Sequence, residues 1–482
     1  MRLTRTALLA CLLATLPACK KDEARDPGST AKPAPKATTA PPSAPAVATA
    51  TAEAPAPEPA VAEPTNEPSA AAPKPGAAGT AYLGVSGTGL VRVDGGKAKT
   101  LLEHKYPIND IVVDHRGVVY AAAIGGAWSI AGDKVTSLPE AGRSTYHRHL
   151  AIAPDGTLWT LDHETAFRWD RKAWTEVPKS TFEGQLMNDI AVDRAGRVWV
   201  ATTDHLWRFD GKSWTKLDSK FAGTKKPYFR TIVAAPSGEV YTSSIEGVFV
   251  YEGDAWQKVR IKGSSSILTP DEIAISADGR MATSSGMDDV AIRPPAGDLR
   301  RLALKKTGAK VRQADVMAVD GSGRTWLRTD NGVVILDGDG KLVQQWTPGT
   351  VAGITGKIET IAVVGNGPTL PTLTDAARGT VTGKVVMKGK PIAGAAVEIC
   401  TSPASMIMFE KTPCTGSSVA FTGVTAKDGT FKIAGVPVGS YGFAVKPKRT
   451  WFVSSWGLEE CCTTLENGQE YDIGSINLEK LE

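Results

Sequence analysis

The sequence predicts an all-β protein, a ring of seven four-stranded blades followed by a small β-sandwich, and three observations carry that expectation. A glycine-marked unit recurs with a period near 40 residues, each unit alternates apolar strands with turn signals, and the last unit is incomplete in a way that the start of the same region makes good. Composition agrees: 49 glycines, 31 prolines and 12 tryptophans in 482 residues favour turns, an unstructured stretch and aromatic strands over long helices. At 42% hydrophobic and 22% charged, the chain exceeds one ordinary domain and is not a polytopic membrane protein. The 55 Lys and Arg against 51 Asp and Glu leave a net charge of +4. That lacks the concentrated basic excess a phosphate backbone demands, so no nucleic-acid partner is expected.

Ahead of the repeats the chain carries an address. Arg2 and Arg5 precede an apolar run from Ala7 to Leu16, too short for a permanent membrane span and suited to the core of a secretory signal over 1–18. The run ends in Leu16-Pro17-Ala18-Cys19, followed by Lys20-Lys21-Asp22. This resembles a bacterial lipobox, which implies that Cys19 is lipidated on sulfur, exposed by cleavage and then acylated. Two or three chains anchor stably where one holds only marginally. The lipoprotein sorting rule retains proteins with Asp after the cysteine at the inner membrane; with Lys20 there, it implies the outer membrane, at its periplasmic or cell-surface face. From 19 to 78 Pro, Ala, Thr, Ser, Glu and Lys dominate, without apolar side chains large enough to offset the entropy of ordering. A disordered tether is expected, and roughly 59 residues at ~3.1 Å each would reach about 180 Å.

The unit that fills 79–371 is clearest at Asn188-Asp189-Ile190-Ala191-Val192-Asp193-Arg194-Ala195-Gly196-Arg197-Val198-Trp199-Val200-Ala201-Thr202, an apolar strand, an Asp-x-x-Gly turn and an aromatic strand. Its turn glycine recurs at Gly117, Gly156, Gly196, Gly238, Gly279, Gly323 and Gly367, at intervals of 39, 40, 42, 41, 44 and 44. Three residues later stand Tyr120, Trp159, Trp199, Tyr241 and Trp326, with Ala282 in the degenerate fifth copy. Third and fourth strands show at Leu206-Trp207-Arg208-Phe209 and Ser213-Trp214-Thr215-Lys216-Leu217, joined through the hairpin pair Asp210-Gly211. Four short strands at this period are the mark of a β-propeller. The last copy supplies one strand, Ile361 to Val364, and the three it lacks stand at Gly79 to Leu102, so the seventh blade is expected to join the two ends of the ring. The blades resemble the two-component-regulator type of propeller and, more distantly, the NHL and streptogramin-lyase groups.

From 379 to 482 a second domain is expected. Gly379-Thr380-Val381-Thr382-Gly383-Lys384-Val385, Ala426-Lys427-Asp428-Gly429-Thr430-Phe431 and Pro437-Val438-Gly439-Ser440-Tyr441 together resemble the carboxypeptidase regulatory-like domain. The resemblance implies a transthyretin-type β-sandwich that serves as an accessory module and not as a peptidase. Cys400, Cys414, Cys461 and Cys462 all fall within it, and in an oxidising compartment they read as two disulfides with three arithmetically possible pairings. Adjacent cysteines on an extended strand point to opposite sides, so Cys461 and Cys462 are expected to take different partners.

Chemistry is expected at one mouth of the ring. In register, the starts of the innermost strands bring Asp110, His149, Asp189, Thr231, Glu272, Asp315 and Thr360, and the loops after the second strands add His163, Glu164, Asp204, His205, Glu246, Asp288, Asp289 and Asp330. An acidic rim with a histidine-bearing sector would suit a divalent cation or a cationic ligand group, because crowded carboxylates raise one another's cost of ionisation. Polar residues that simply cap turns and solvate a channel are the competing reading. The tryptophans sit mostly at repeated strand positions and read as blade cores, and no Gly-x-Ser-x-Gly elbow, His-Glu-x-x-His helix or phosphate-binding glycine loop occurs. Two function classes follow: a lipid-anchored envelope binding or scaffold protein with an envelope protein or glycan as partner, or a metal-assisted envelope hydrolase or lyase acting at the channel mouth.

Overall fold

Short strands whose buried residues press against both neighbouring sheets are closed off by glycines that the turns require, and this alternation organises the chain from Gly79 onward. The computed structural model describes residues 79–480 apart from 142–145, 218–227, 253–254, 263–270, 285–288, 296, 312–313, 402, 404–411, 416 and 454–460. Residues 1–78, which hold the expected signal, Cys19 and the linker, lie outside the described residues.

Seven antiparallel sheets form the propeller. Blade 1 runs from Ile108–Val113 to Lys134–Ser137, blade 2 from His149–Ile152 to Trp174–Val177, and blade 3 from Met187–Val192 to Trp214–Leu217. Blades 4, 5 and 6 begin at Phe229–Ala234, Glu272–Ile275 and Ala314–Val319. Blade 5 departs from the expected four strands, since Ile261–Lys262 pairs in parallel with its outer strand Leu299–Ala303. Blade 7 closes the ring as anticipated: Ile358–Val364 is its innermost strand, paired with Thr80–Val85 from Thr80↔Val364 to Val85↔Ile358, and then come Gly89–Asp94 and Lys97–Glu103. A further bond from Gly79 N to Gly367 O, 2.8 Å, fastens the seam.

The repeated turn has a chemical reason. In blade 3 the Asp193 carboxylate accepts from the backbone of Ala195 and Arg197 at 3.0 and 2.9 Å, and also from Arg197 Nε at 2.7 Å and the Trp199 indole nitrogen at 2.9 Å. Blade 6 repeats the arrangement with Asp320, Ser322, Arg324 and Trp326. The turn glycine itself stands at positive φ, 79° at Gly196 and 87° at Gly323, where a side chain would be strained. The buried carboxylate thereby satisfies the turn, neutralises an arginine and orients the blade-core tryptophan. Those aromatics cross between blades: Trp159 meets Phe209 and Trp214 of the next blade at 5.8 and 6.2 Å, and Trp199 meets Tyr251 and Trp256 at 5.1 and 6.4 Å.

Beyond the ring, two sheets face one another. One has Arg378–Met387 at its centre, with Thr430–Pro437 antiparallel on one side and Glu470–Asn477 parallel on the other. The second runs Ala420–Val424, Ala396–Cys400, Gly442–Lys446 and Phe452–Val453. Val381, Val385, Phe431 and Ile433 pack against Val397, Ile399, Phe443 and Val445 in a continuous core, as a sandwich requires. Both disulfides are present, but their pairing corrects the expectation: Cys400 bonds Cys414, and Cys461 bonds Cys462. The physical reason is local. Cys462 has φ 88°, so the chain bends there instead of running extended, and the two sulfur atoms come to bond each other.

Candidate functional site

The mouth of the ring is built by the first residues of the innermost strands, and the structure gives most of them partners on a neighbouring blade. Asp110 accepts from Ile111 N at 2.8 Å within its own blade and from Leu150 N at 2.9 Å in blade 2. Beside it Asn109 donates to His147 O at 2.7 Å. Blade 3 repeats the device toward blade 4. Asp189 accepts from Ile190 N (2.9 Å), Ile232 N (3.0 Å) and the Thr231 hydroxyl (2.5 Å), while Asn188 donates to Phe229 O at 2.7 Å. The other Asp189 contact reaches back: its Oδ1 lies 3.2 Å from Nδ1 of His149, in blade 2, with side chains only 14% and 7% exposed. The Asn-Asp pair therefore stitches strand to strand across a blade junction, and Asp189 links three blades.

Ion pairs and hydroxyls serve the remaining junctions. Arg230 of blade 4 pairs with Asp271 of blade 5, and Ser284 of blade 5 accepts from Val316 N of blade 6 at 2.8 Å. Arg328 of blade 6 pairs with Asp315 and donates to Glu359 O of blade 7 at 2.9 Å. Burial alone would lower the Arg328 pKa, but Asp315 and Glu359 outweigh it and hold the guanidinium charged. Burial likewise works to raise Glu359, and Lys357 and Arg328 reverse it, leaving that carboxyl below its ordinary range. Between blades 7 and 1 the backbone itself approaches: a Cβ on Gly84 would lie 2.8 Å from both Ile108 Cβ and Thr360 Cγ2.

The loops complete a mixed-charge rim. Glu164 pairs with Lys179, Glu183 with Lys216 at 2.6 Å, and Asp289 with Arg301. His163 stacks on Tyr146 at 5.6 Å with Nδ1 3.1 Å from Arg148, and burial together with that arginine lowers its pKa despite Asp162 and Glu164. His147 belongs to a blade core, stacked on Trp174. His205 contributes its backbone, with its carbonyl accepting from Thr202. Glu272 opens blade 5 and gives its carbonyl to Thr283, an arrangement that Thr160 and Thr242 repeat on His149 and Thr231. Asp288 lies outside the described residues. The geometry thus brings His149 and Asp189 together and leaves His163 with Tyr146 and Arg148. Among the described residues, no group of three or more His, Cys, Asp or Glu side chains stands together as a metal site.

Sequence reasoning missed the basic half of this rim. Arg148 and Arg230 occupy the position just before His149 and Thr231, the same position as Asn109 and Asn188, so reading the register one residue earlier would have found them. Arg328 sits on a second strand, opposite Asp315 in the ladder, where only the pairing register reveals it.

No family model and no curated protein matches the chain. Similar solved structures include a streptogramin B lyase, at 13% identity over 56% of this chain and 87% of that one with a TM-score of 0.42. A catalytically inactive virginiamycin B lyase from Staphylococcus aureus with quinupristin shows 12% identity over 68% and 94%, at 0.42. The extracellular domain described for a hybrid two component system from B. thetaiotaomicron shows 13% identity over 73% and 54%, at 0.43. The propeller here is established by its own strand register, and these likenesses accompany it.

Proposed function

We propose that the protein is a lipid-anchored scaffold of the bacterial cell envelope that presents a rigid propeller and an accessory sandwich to an envelope protein or glycan. The observation that supports it most is the use of the mouth residues: Asp110, Asp189, Arg230, Arg328 and their partners tie blade to blade, which stiffens a platform. The hydrolase or lyase alternative would need His149 and Asp189 to turn toward a substrate, whereas they engage each other and blade 4. Anchorage rests on the lipobox resemblance at Cys19, and the sorting rule with Lys20 favours the outer membrane. The C-terminal sandwich is read as a carboxypeptidase regulatory-like module on the residues that carry that resemblance, supported by its two facing sheets.

Fractionation tests the anchor. Cys19→Ala should move the protein from the membrane to the soluble fraction, because acyl chains and not the polar linker supply the affinity; unchanged partitioning would contradict it. Affinity capture from detergent-solubilised envelope tests presentation. A partner recovered with the intact chain should be lost with a chain lacking 79–102, and equal recovery by both would remove the ring from the account.

A further inference from the structure

Propeller and sandwich meet through contacts of three different kinds. Asp330, in the loop between the second and third strands of blade 6, accepts from the Thr401 hydroxyl at 2.8 Å, from Ser418 N at 2.8 Å and from the Ser418 hydroxyl at 2.5 Å. All three donors belong to the sandwich, and both donor residues neighbour one disulfide: Thr401 follows Cys400, and Ser418 lies four residues after Cys414. A bond from Thr401 N to Val419 O, 3.2 Å, holds the two segments side by side, and one from Ser417 N to Cys414 O, 3.1 Å, closes a turn within the second. A charged acceptor that meets donors already fixed in place loses little conformational entropy on binding.

The second contact is backbone against side chain. Gly349, at φ 79° in the connection between blades 6 and 7, has no room for a Cβ, which would lie 2.2 Å from Val438 Cγ1 in the sandwich. The third is the connecting segment 368–377. Gln344 donates to Pro371 O at 2.9 Å, Thr374 N donates to Thr350 O at 2.9 Å, and Leu370 packs with the core shared by blades 6 and 7. At its far end Ala376 and Ala377 pack into the sandwich core. A segment rich in Pro and Thr would read as a hinge, yet it is tied along its length.

We propose that the Cys400–Cys414 disulfide sets a docking latch: it steadies Thr401 and Ser418 as a receptor for the Asp330 carboxylate and so locks the sandwich onto blade 6, so that the two domains present one continuous rigid surface. Asp330 and Gly349 both lie in connections at the end of the ring where the innermost strands begin. The latch therefore fixes the sandwich at the end of the ring that carries the mouth, in the sector of blades 6 and 7.

Hydrogen exchange across 368–377 and calorimetric melting of the full chain test this. The wild-type chain should protect the Thr374 amide and melt its two domains in one transition. Asp330→Ala on the propeller side, and Thr401→Val with Ser418→Ala on the sandwich side, should each raise exchange in the segment at least tenfold and split the melt into two. Cys400→Ser with Cys414→Ser should do the same, and adding Asp330→Ala to that pair should bring no further increase. Wild-type exchange in both the Asp330 and the Thr401/Ser418 variants would overturn the latch. A response to Asp330→Ala alone would overturn it as well, since Asp330 would then serve blade 6 by itself. Additive effects of Asp330→Ala and the cysteine pair would remove the disulfide from the mechanism.

Discussion

His147 is a histidine held as a core residue, and its surroundings predict how stability follows pH. It is 1% exposed, stacks on Trp174 with ring centroids 5.7 Å apart, and has its Nδ1 3.3 Å from the Thr160 hydroxyl. Burial lowers its pKa below the ordinary 6.5, with Asp162 opposing. A depressed folded pKa means that the unfolded chain takes up the proton first as pH falls. Stability is therefore full above about 6.5, declines as pH drops toward the folded value, and levels off below it. His163, lowered by burial and Arg148, adds to the same trend. His147→Gln should cost stability at neutral pH but shrink the loss on going from about pH 7.5 to pH 5, as read from urea midpoints. Equal losses in variant and wild type would assign the pH dependence to other groups.

At the scale of elements, the seam of blade 7 and the two disulfides make separate predictions. Deleting 79–102 removes Thr80–Val85, Gly89–Asp94 and most of Lys97–Glu103, stripping Ile358–Val364 of its ladder and exposing the core in which Ala81, Leu83 and Val91 pack with Ile358 and Ile361. The whole ring should then melt early, and a truncated chain that melts like the intact propeller would refute the closure. Peptide mapping of the non-reduced protein should find Cys400 with Cys414 and Cys461 with Cys462. In the chain-entropy model, opening the first, with a sequence separation of 14, costs on the order of 3 kcal/mol. The second constrains almost no chain and should cost much less by that route; four free thiols would reject both. These elements also show what the sequence could reveal. The four-stranded blade, the turn glycines and the split blade are written in a 40-residue period, because a repeat must bury the same faces in every copy, whereas the added strand Ile261–Lys262 of blade 5 lies outside that period. The vicinal pairing was hidden because it depends on one backbone angle, at Cys462, and the basic groups of the mouth were missed because Arg148, Arg230 and Arg328 reach it from neighbouring positions and strands.

Across the whole molecule, a ring is only as stiff as its junctions. Aromatic contacts such as Trp159 to Trp214 and Trp199 to Trp256 join the outer parts of the blades, while carboxylates and guanidinium groups join the inner parts. Asp189 is the fullest case, bonded to its own blade, to Thr231 and Ile232 ahead and to His149 behind. A residue kept for a ligand commonly sits at the expense of stability, and its removal leaves the fold unchanged or firmer. A residue kept to join blades leaves buried donors unsatisfied when it is lost, at about 2–4 kcal/mol for a charge-assisted group with several partners. Equilibrium unfolding of Asp189→Ala against wild type, in the presence of a chelator, separates the two. The account predicts a loss in that range with a lower melting temperature for the propeller, and an unchanged or raised stability would contradict it.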